Sequence, residues 1–245
     1  MKDYFSSNAK KYFQYRPFYP KELFDFIYSH VSQKQNAWDC GTGNGQVAFE
    51  LSKVFENVYA TDISENQLQQ AIKAKNIFYS LQPAEKTHFE NHFFDLITVA
   101  QAVHWFNFEA FYNEVKRTAK ENAVICLFGY GLLRITPEID NIIDNFYYNI
   151  VYDYWDKERR YIEEEYKTIP FPFEEISCPK FINQQQWDIE HLLGYLSTWS
   201  SVKTFIQKNG YNPINAIQDD LYKIWDKNQK MTIHFPIFMR MGRIR

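Results

Sequence analysis

Cysteine is scarce. Cys40, Cys126 and Cys178 are too few and too scattered to build a disulfide framework or a metal knuckle, so no metal is expected. Cys40 and Cys126 fall in apolar, strand-like runs, where a free thiol behaves as a small hydrophobe. Charge of one sign is also lacking: 27 basic against 30 acidic residues leave a formal net charge of -3. No global field therefore argues for nucleic acid or an anionic membrane as a partner. No apolar run approaches transmembrane length. The opening Met1-Lys2-Asp3-Tyr4-Phe5 lacks the apolar stretch of a signal peptide, which makes the cytoplasm the expected compartment. Internal repeats, low-complexity tracts and Gly/Ser-rich linkers are missing too, so one domain with a helical insertion is expected.

What is present is aromatic and periodic. Aromatic residues make up 19% of the chain, enough to fill a core and also to wall a ligand site. Leu23, Phe24, Ile27, Tyr28 and Val31 recur at helical spacing after Pro20. Short strands are expected at 37–38, 57–61, 77–81, 93–100 and 123–130. Helices are expected after the glycines at 41–45, over 65–75 behind a Ser64 cap, and over 108–120. Strands alternating with helices at this spacing predict a parallel sheet covered on both faces, an open α/β unit over roughly residues 1–131. Beyond it, residues 138–166 read as one long or broken helix, and 181–189 and 232–241 as two further strands.

Asp39-Cys40-Gly41-Thr42-Gly43-Asn44-Gly45 stands between a predicted strand and a predicted helix. Glycines there let a ligand approach the backbone. The dinucleotide fingerprint needs a glycine one position beyond Gly45, where this chain has Gln46. Asp39 instead puts a carboxylate at the strand end, which favours a cationic ligand. S-adenosylmethionine, with its ammonium and sulfonium and no pyrophosphate, meets that description. Asp62 ends the second strand 21 residues after Gly41, close to the spacing of a ribose-binding acid.

These residues resemble the class I S-adenosylmethionine-dependent methyltransferases, and more narrowly the type 11, trans-aconitate methyltransferase-like branch. Tyr15-Arg16-Pro17-Phe18-Tyr19-Pro20 is similar to that branch's N-terminal signature. Gln101-Ala102-Val103-His104-Trp105-Phe106 resembles its segment after the fourth strand. Gly194-Tyr195-Leu196-Ser197-Thr198-Trp199-Ser200 and Met239-Arg240-Met241-Gly242-Arg243 resemble its C-terminal pieces.

The resemblance implies a Rossmann-like α/β fold: seven strands in the order 3-2-1-4-5-7-6, mostly parallel with the last antiparallel, and helices on both faces. It implies an N-terminal lid segment and helix over 1–35, a cofactor-binding core over 36–131 and an acceptor side over 132–245. Asp39, Gly41, Gly43, Gly45, Asp62, Ile63, Gln101 and Arg16 are the expected cofactor contacts, with Ala84 and Glu85 beside the adenine. Pro83 stands where related chains carry an acidic or small polar residue, and it has no N–H to offer.

Ligands in open α/β sheets bind at the carboxyl ends of the strands, which brings Asp39 to Gly45 beside Ala100 to His104. Methyl transfer is an in-line displacement that needs an aligned lone pair and a dry site. His104 is the titratable candidate there, either as a base for a hydroxyl or amine acceptor or as a structural partner of Trp105. Tyr19, His104, Trp105, Arg134 and Trp199 are expected on the acceptor side, with Tyr147, Trp155 and Tyr195 as further walls. Arg134 is the expected anchor for an acidic acceptor. Arg159 and Arg160 read as part of a solvated charged face, and Arg240, Arg243 and Arg245 as flanks of the last strand. A small-molecule acceptor is the expected partner, with O-methylation of a carboxylate favoured by the resemblance. N- or C-methylation, a non-catalytic cofactor-binding module and a nicotinamide-dependent oxidoreductase are the alternatives.

Overall fold

The computed structural model describes residues 15–245. Helix α1 (Lys21–Ser29) follows Pro20 and buries Leu23, Phe24 and Ile27, the stripe its periodicity predicts. Strand β1 (Asn36–Cys40) leads through the glycines into α2 (Gln46–Ser52). Next come β2 (Asn57–Asp62), α3 (Glu65–Gln69), β3 (Ile77–Leu81) and β4 (Phe94–Ala100). Helix α4 (Phe108–Thr118), capped by Asn107, runs directly into β5 (Ala119–Tyr130).

Helix α3 is shorter than the 65–75 expected. Ser64 caps its start by accepting from the Gln67 N–H at 3.4 Å. Its continuation is lost to a long-range bond: the Ile72 N–H donates to the Asn44 carbonyl at 3.0 Å, pulling the chain back onto the glycine loop.

The long helix expected over 138–166 is broken. Helix α5 (Pro137–Asn145), capped by Thr136, widens into a π turn at Phe146–Ile150. Short turns follow before α6 (Arg160–Glu163). Then come β6 (Glu174–Ile176), β7 (Phe181–Trp187), α7 (Ile189–Ser197), α8 (Ser200–Asn209), α9 (Asn215–Ile224) and β8 (Met231–Arg243).

The strands form one sheet in the order β3-β2-β1-β4-β5-β8-β6, with β7 also paired to β8. The first five strands are parallel neighbours, and β8 enters antiparallel to β5. The expected order holds, with one refinement: the outermost position is shared by β6 at one end of β8 and β7 at the other. The three residues of β6 are too short and too exposed to give a periodic signal.

Both faces of the sheet are covered, as alternation along the central strands records. Val124, Cys126 and Phe128 of β5 join one apolar cluster with Leu23, Leu51 and Leu196. Ile125 and Leu127 join the other with Trp38, Phe111 and Val115. Cys40 and Cys126 are buried free thiols within these strands. No helix among the described residues is long and apolar enough to cross a membrane.

Candidate functional site

The carboxyl ends of β1, β2 and β4 open into one cleft, because the strand order reverses direction between β1 and β4. Beyond Cys40 the chain takes left-handed backbone at Gly41, Gly43 and Gly45, with φ of 69°, 55° and 79°. A Cβ on Gly45 would run into Tyr79, whereas one on Gly43 would meet nothing within 4 Å and would project into open space. Gly43 is thus the point where a ligand can lie against bare backbone.

Asp39 is buried beneath this loop. Its Oδ2 accepts from Thr42 Oγ1 at 2.5 Å and from the Ala48 N–H at 3.1 Å, and its Oδ1 accepts from Thr98 Oγ1 at 3.0 Å. Burial pushes its carboxyl up to about 6, against the downward pull of those hydrogen bonds. Asp39 therefore ties the loop to α2 and β4. Asp62 sits at the other lip, where Oδ2 accepts from the Gly43 N–H at 2.8 Å and Oδ1 from the Ser64 N–H at 2.9 Å.

The cleft, about 1060 Å³ with the open solvent at its mouth included, is lined by Asp39, Gly41, Gly43, Asp62, Ile63, Ala84, Gln101 and Arg16 among the expected cofactor contacts. Two of that set lie elsewhere. Gly45 caps α2 beneath the loop. Glu85 turns away from the cleft, its Oε1 accepting from the Asn107 N–H at 3.0 Å, a helix-terminal donor that the sequence pattern does not reveal.

The lining also fits S-adenosylmethionine through residues the motif does not name. Asn44 Nδ2, Gln46 Nε2 and Gln67 Oε1 are buried without a hydrogen-bond partner among the described residues, and all three residues line the cleft. Buried donors and acceptors left open are costly unless a ligand answers them. Two amide donors, one amide acceptor, a carboxylate and a bare glycine suit a ligand carrying hydroxyls, an ammonium and a carboxylate.

A second chamber of about 670 Å³ adjoins the first, and Arg16, Gln101, Trp105 and Tyr130 line both. Arg16 Nη1 donates to Tyr130 Oη at 3.0 Å, and its guanidinium lies 5.2 Å from the centre of the Tyr195 ring. Gln101, at the end of β4, holds a φ of 54°, unusual for a side chain of its size, and its Nε2 donates to the Tyr130 carbonyl at 2.9 Å. Such strain at a cleft is a recurrent mark of functional positions.

Of the expected acceptor-side residues, His104, Trp105 and Trp199 line the second chamber, with Trp155 and Tyr195. Tyr19 lines the first, its ring edge-on to Phe128 at 4.8 Å. Tyr147 stands behind the wall, where its hydroxyl donates to Glu163 Oε1 at 2.6 Å and accepts from Arg159 Nε at 2.9 Å.

Arg134 is a correction. It lines neither chamber and is spent on Asp144 at 2.7 Å at the surface. The cations lining the second chamber are Arg16, shared with the cleft, and Arg159, with Asp156 in the same wall. Arg159 does not belong to a solvated face: its guanidinium lies 4.5 Å from the centre of the Trp155 ring and 5.5 Å from that of Tyr147. Only its tertiary neighbours distinguish it from Arg160, which rests on the exposed side against Tyr161.

His104 is buried, and its Nδ1 lies 3.1 Å from Tyr166 Oη. Burial, helped by the Arg159 charge, lowers its pKa from the ordinary 6.5 to about 3, so the ring is neutral at physiological pH.

Among known proteins, the family described as Methyltransferase domain matches residues 38–127. A Dictyostelium discoideum protein named as a methyltransferase is 36% identical across 98% of this chain and 95% of its own length. A structure described as a type II methyltransferase from Anaeromyxobacter dehalogenans superposes with a TM-score of 0.87 at 36% identity, covering 94% of this chain and 98% of that one. A Bacillus halodurans methyltransferase structure shares the fold at a TM-score of 0.52 and 16% identity, over 91% of this chain and 99% of that one.

Proposed function

The chain belongs to the class I S-adenosylmethionine-dependent methyltransferases, and we propose that it methylates a carboxylate oxygen of a small organic acid held in the second chamber. The observation that carries this reading is Arg159, a cation stacked on Trp155 in the wall of a chamber that shares Arg16 and Gln101 with the cofactor cleft. Trp155 Nε1 is a second donor in that wall, buried and with no hydrogen-bond partner among the described residues. A guanidinium and an open indole N–H among the lining residues of an aromatic chamber suit an anionic oxygen on a small unsaturated or apolar body.

S-adenosylmethionine, when bound, supplies a methyl group on a sulfonium, an electrophile that asks only for an aligned lone pair. Asp62 would accept from the ribose hydroxyls, with Ile63 and Ala84 against the adenine and Gly43 giving close approach. Arg16 and Gln101, common to both chambers, would orient the methionine end and the acceptor toward one another. Arg159 would hold the acceptor's charge, while Trp105, Trp155 and Trp199 exclude water and so strengthen each polar contact.

Labelled S-adenosylmethionine incubated with a panel of carboxylic acids, phenols and amines tests the reading. Transfer to a carboxylate yields an ester whose labelled methyl becomes volatile methanol in alkali. Label that resists alkali, found only on amines or phenols, would replace the carboxylate with another acceptor.

A further inference from the structure

We propose that Tyr166 fixes His104 as the Nε2–H tautomer, so that the ring serves the second chamber as a neutral hydrogen-bond donor and not as a base. Three features of the structure meet here. First, the Tyr166 hydroxyl is enclosed, and the His104 Nδ1 at 3.1 Å is its hydrogen-bond partner. A phenol has one hydrogen to give. If Nδ1 carried the ring proton, that hydrogen would have no acceptor among the described residues: Phe238 lies edge-on to the ring at 4.8 Å, and the charge felt there is that of Arg159, a group that only donates. Donation from Oη to a bare Nδ1 satisfies both groups and leaves the proton on Nε2.

Second, the backbone is held in an unfavourable form to place that phenol. Glu165 and Tyr166 take φ of 54° and 61°, two consecutive left-handed residues with side chains. The Tyr166 N–H donates to the Tyr161 carbonyl at 2.7 Å, and Arg240 Nη1 donates to the Tyr166 carbonyl at 3.2 Å. The surrounding structure thus determines a conformation the local sequence resists, a pattern associated with functional positions.

Third, His104 lines the second chamber from the turn that follows Gln101, so Nε2 is the ring nitrogen left to face it. Its depressed pKa agrees, since a ring so reluctant to take a proton is a poor base. The inference deepens the carboxylate reading and takes its chemical meaning from it. Forming an ester from a carboxylate uses an oxygen lone pair and releases no proton, so a donor to the second oxygen of the acid is the useful role for this ring. Tyr166 is then a positioning residue for His104.

Long-range proton–nitrogen NMR of the full chain, with nitrogen-labelled histidine, reads the tautomer directly. The chain has six histidines, and His104→Gln assigns the signals. The expected spectrum shows His104 with a protonated Nε2 and an unprotonated Nδ1, and a Tyr166→Phe protein in which this preference collapses to a mixture while S-adenosylhomocysteine still binds. A protonated Nδ1 in the unaltered protein would overturn the proposal, whether or not the variant folds. The tautomer is read without acceptor or turnover, so a failure of the carboxylate assignment stays separate from a failure here.

Discussion

The backbone N–H of Gly43 donates to Asp62 Oδ2 at 2.8 Å, joining the loop after β1 to the end of β2. The Ser64 N–H holds the other oxygen at 2.9 Å, so the carboxylate is aimed before any ligand arrives. A preset acceptor loses little freedom on binding, which is where much of a ligand's affinity is otherwise spent. Thr42 N also donates to the Thr61 carbonyl at 2.9 Å, which makes the two lips of the cleft one unit.

Gly43 and Gly45 share a left-handed backbone and differ in what surrounds them. Gly43→Ala should cost about 1–2 kcal/mol of stability from its dihedrals. It should weaken S-adenosylhomocysteine binding at least tenfold, because its methyl group enters the cleft. Gly45→Ala should destabilise more, since it also displaces Tyr79, whose hydroxyl donates to the Ile72 carbonyl at 2.6 Å. Thermal unfolding with and without S-adenosylhomocysteine ranks the two, and equal behaviour in both measurements would refute the distinction.

Arg159 and Arg134 offer a matched pair of cations. With the free acid that accepts the methyl group as substrate, Arg159→Ala should lower kcat/KM by roughly 10- to 100-fold, the worth of a charge-assisted contact of about 1.5–3 kcal/mol. Arg159→Lys should recover little of it, because an ammonium does not stack on Trp155 as a guanidinium does. Arg134→Ala should leave turnover unchanged. Steady-state kinetics on the three proteins decides this, and a larger loss at Arg134 than at Arg159 would remove Arg159 from the acceptor chamber.

His104 and Asp39 should tilt stability in opposite directions with pH. His104 has a folded pKa of about 3 against an ordinary 6.5. Between those values the unfolded chain binds the extra proton, so this group lowers stability as pH falls from 6.5, by about 1.4 kcal/mol per pH unit. Asp39 has a folded pKa of about 6 against an ordinary 3.8. There the folded chain binds the extra proton, so acidification through 6 adds stability until pH 3.8 is reached. The two effects should largely cancel between pH 4 and 6. Asp39→Asn should therefore steepen acid destabilisation, and His104→Gln should flatten it. Urea unfolding at pH 4, 5, 6 and 7 supplies the slopes, and a shared slope in all three proteins would contradict the assignment.

The α/β half with its glycine loop is legible in the sequence because its signals are local. Strand, acid, glycines and helix follow one another within a few residues, and Asp62 lies one crossover later. The Ser64 cap is likewise a matter of three residues. What escapes is set by contacts between distant segments. Helix α3 ends early because Ile72 is drawn to Asn44, and Glu85 is diverted to Asn107, 22 residues on. The orphaned amides of Asn44, Gln46 and Gln67 become visible only when the lip closes around them. Arg159 carries no periodic mark within its charged run, and only Trp155 and Tyr147 packed beside it separate it from its neighbour Arg160. The second chamber is assembled from elements far apart in the chain, so composition can propose its walls without saying which face inward.

Calorimetric titration of S-adenosylhomocysteine into the unaltered chain and into Asp62→Ala, with NAD as the control ligand, decides whether the cleft is an S-adenosylmethionine site. One S-adenosylhomocysteine site per chain is expected, weakened in Asp62→Ala by roughly 1–3 kcal/mol through loss of charge-assisted hydrogen bonds, with no heat from NAD. Binding of NAD in place of S-adenosylhomocysteine, or an affinity untouched by removing Asp62, would contradict that assignment.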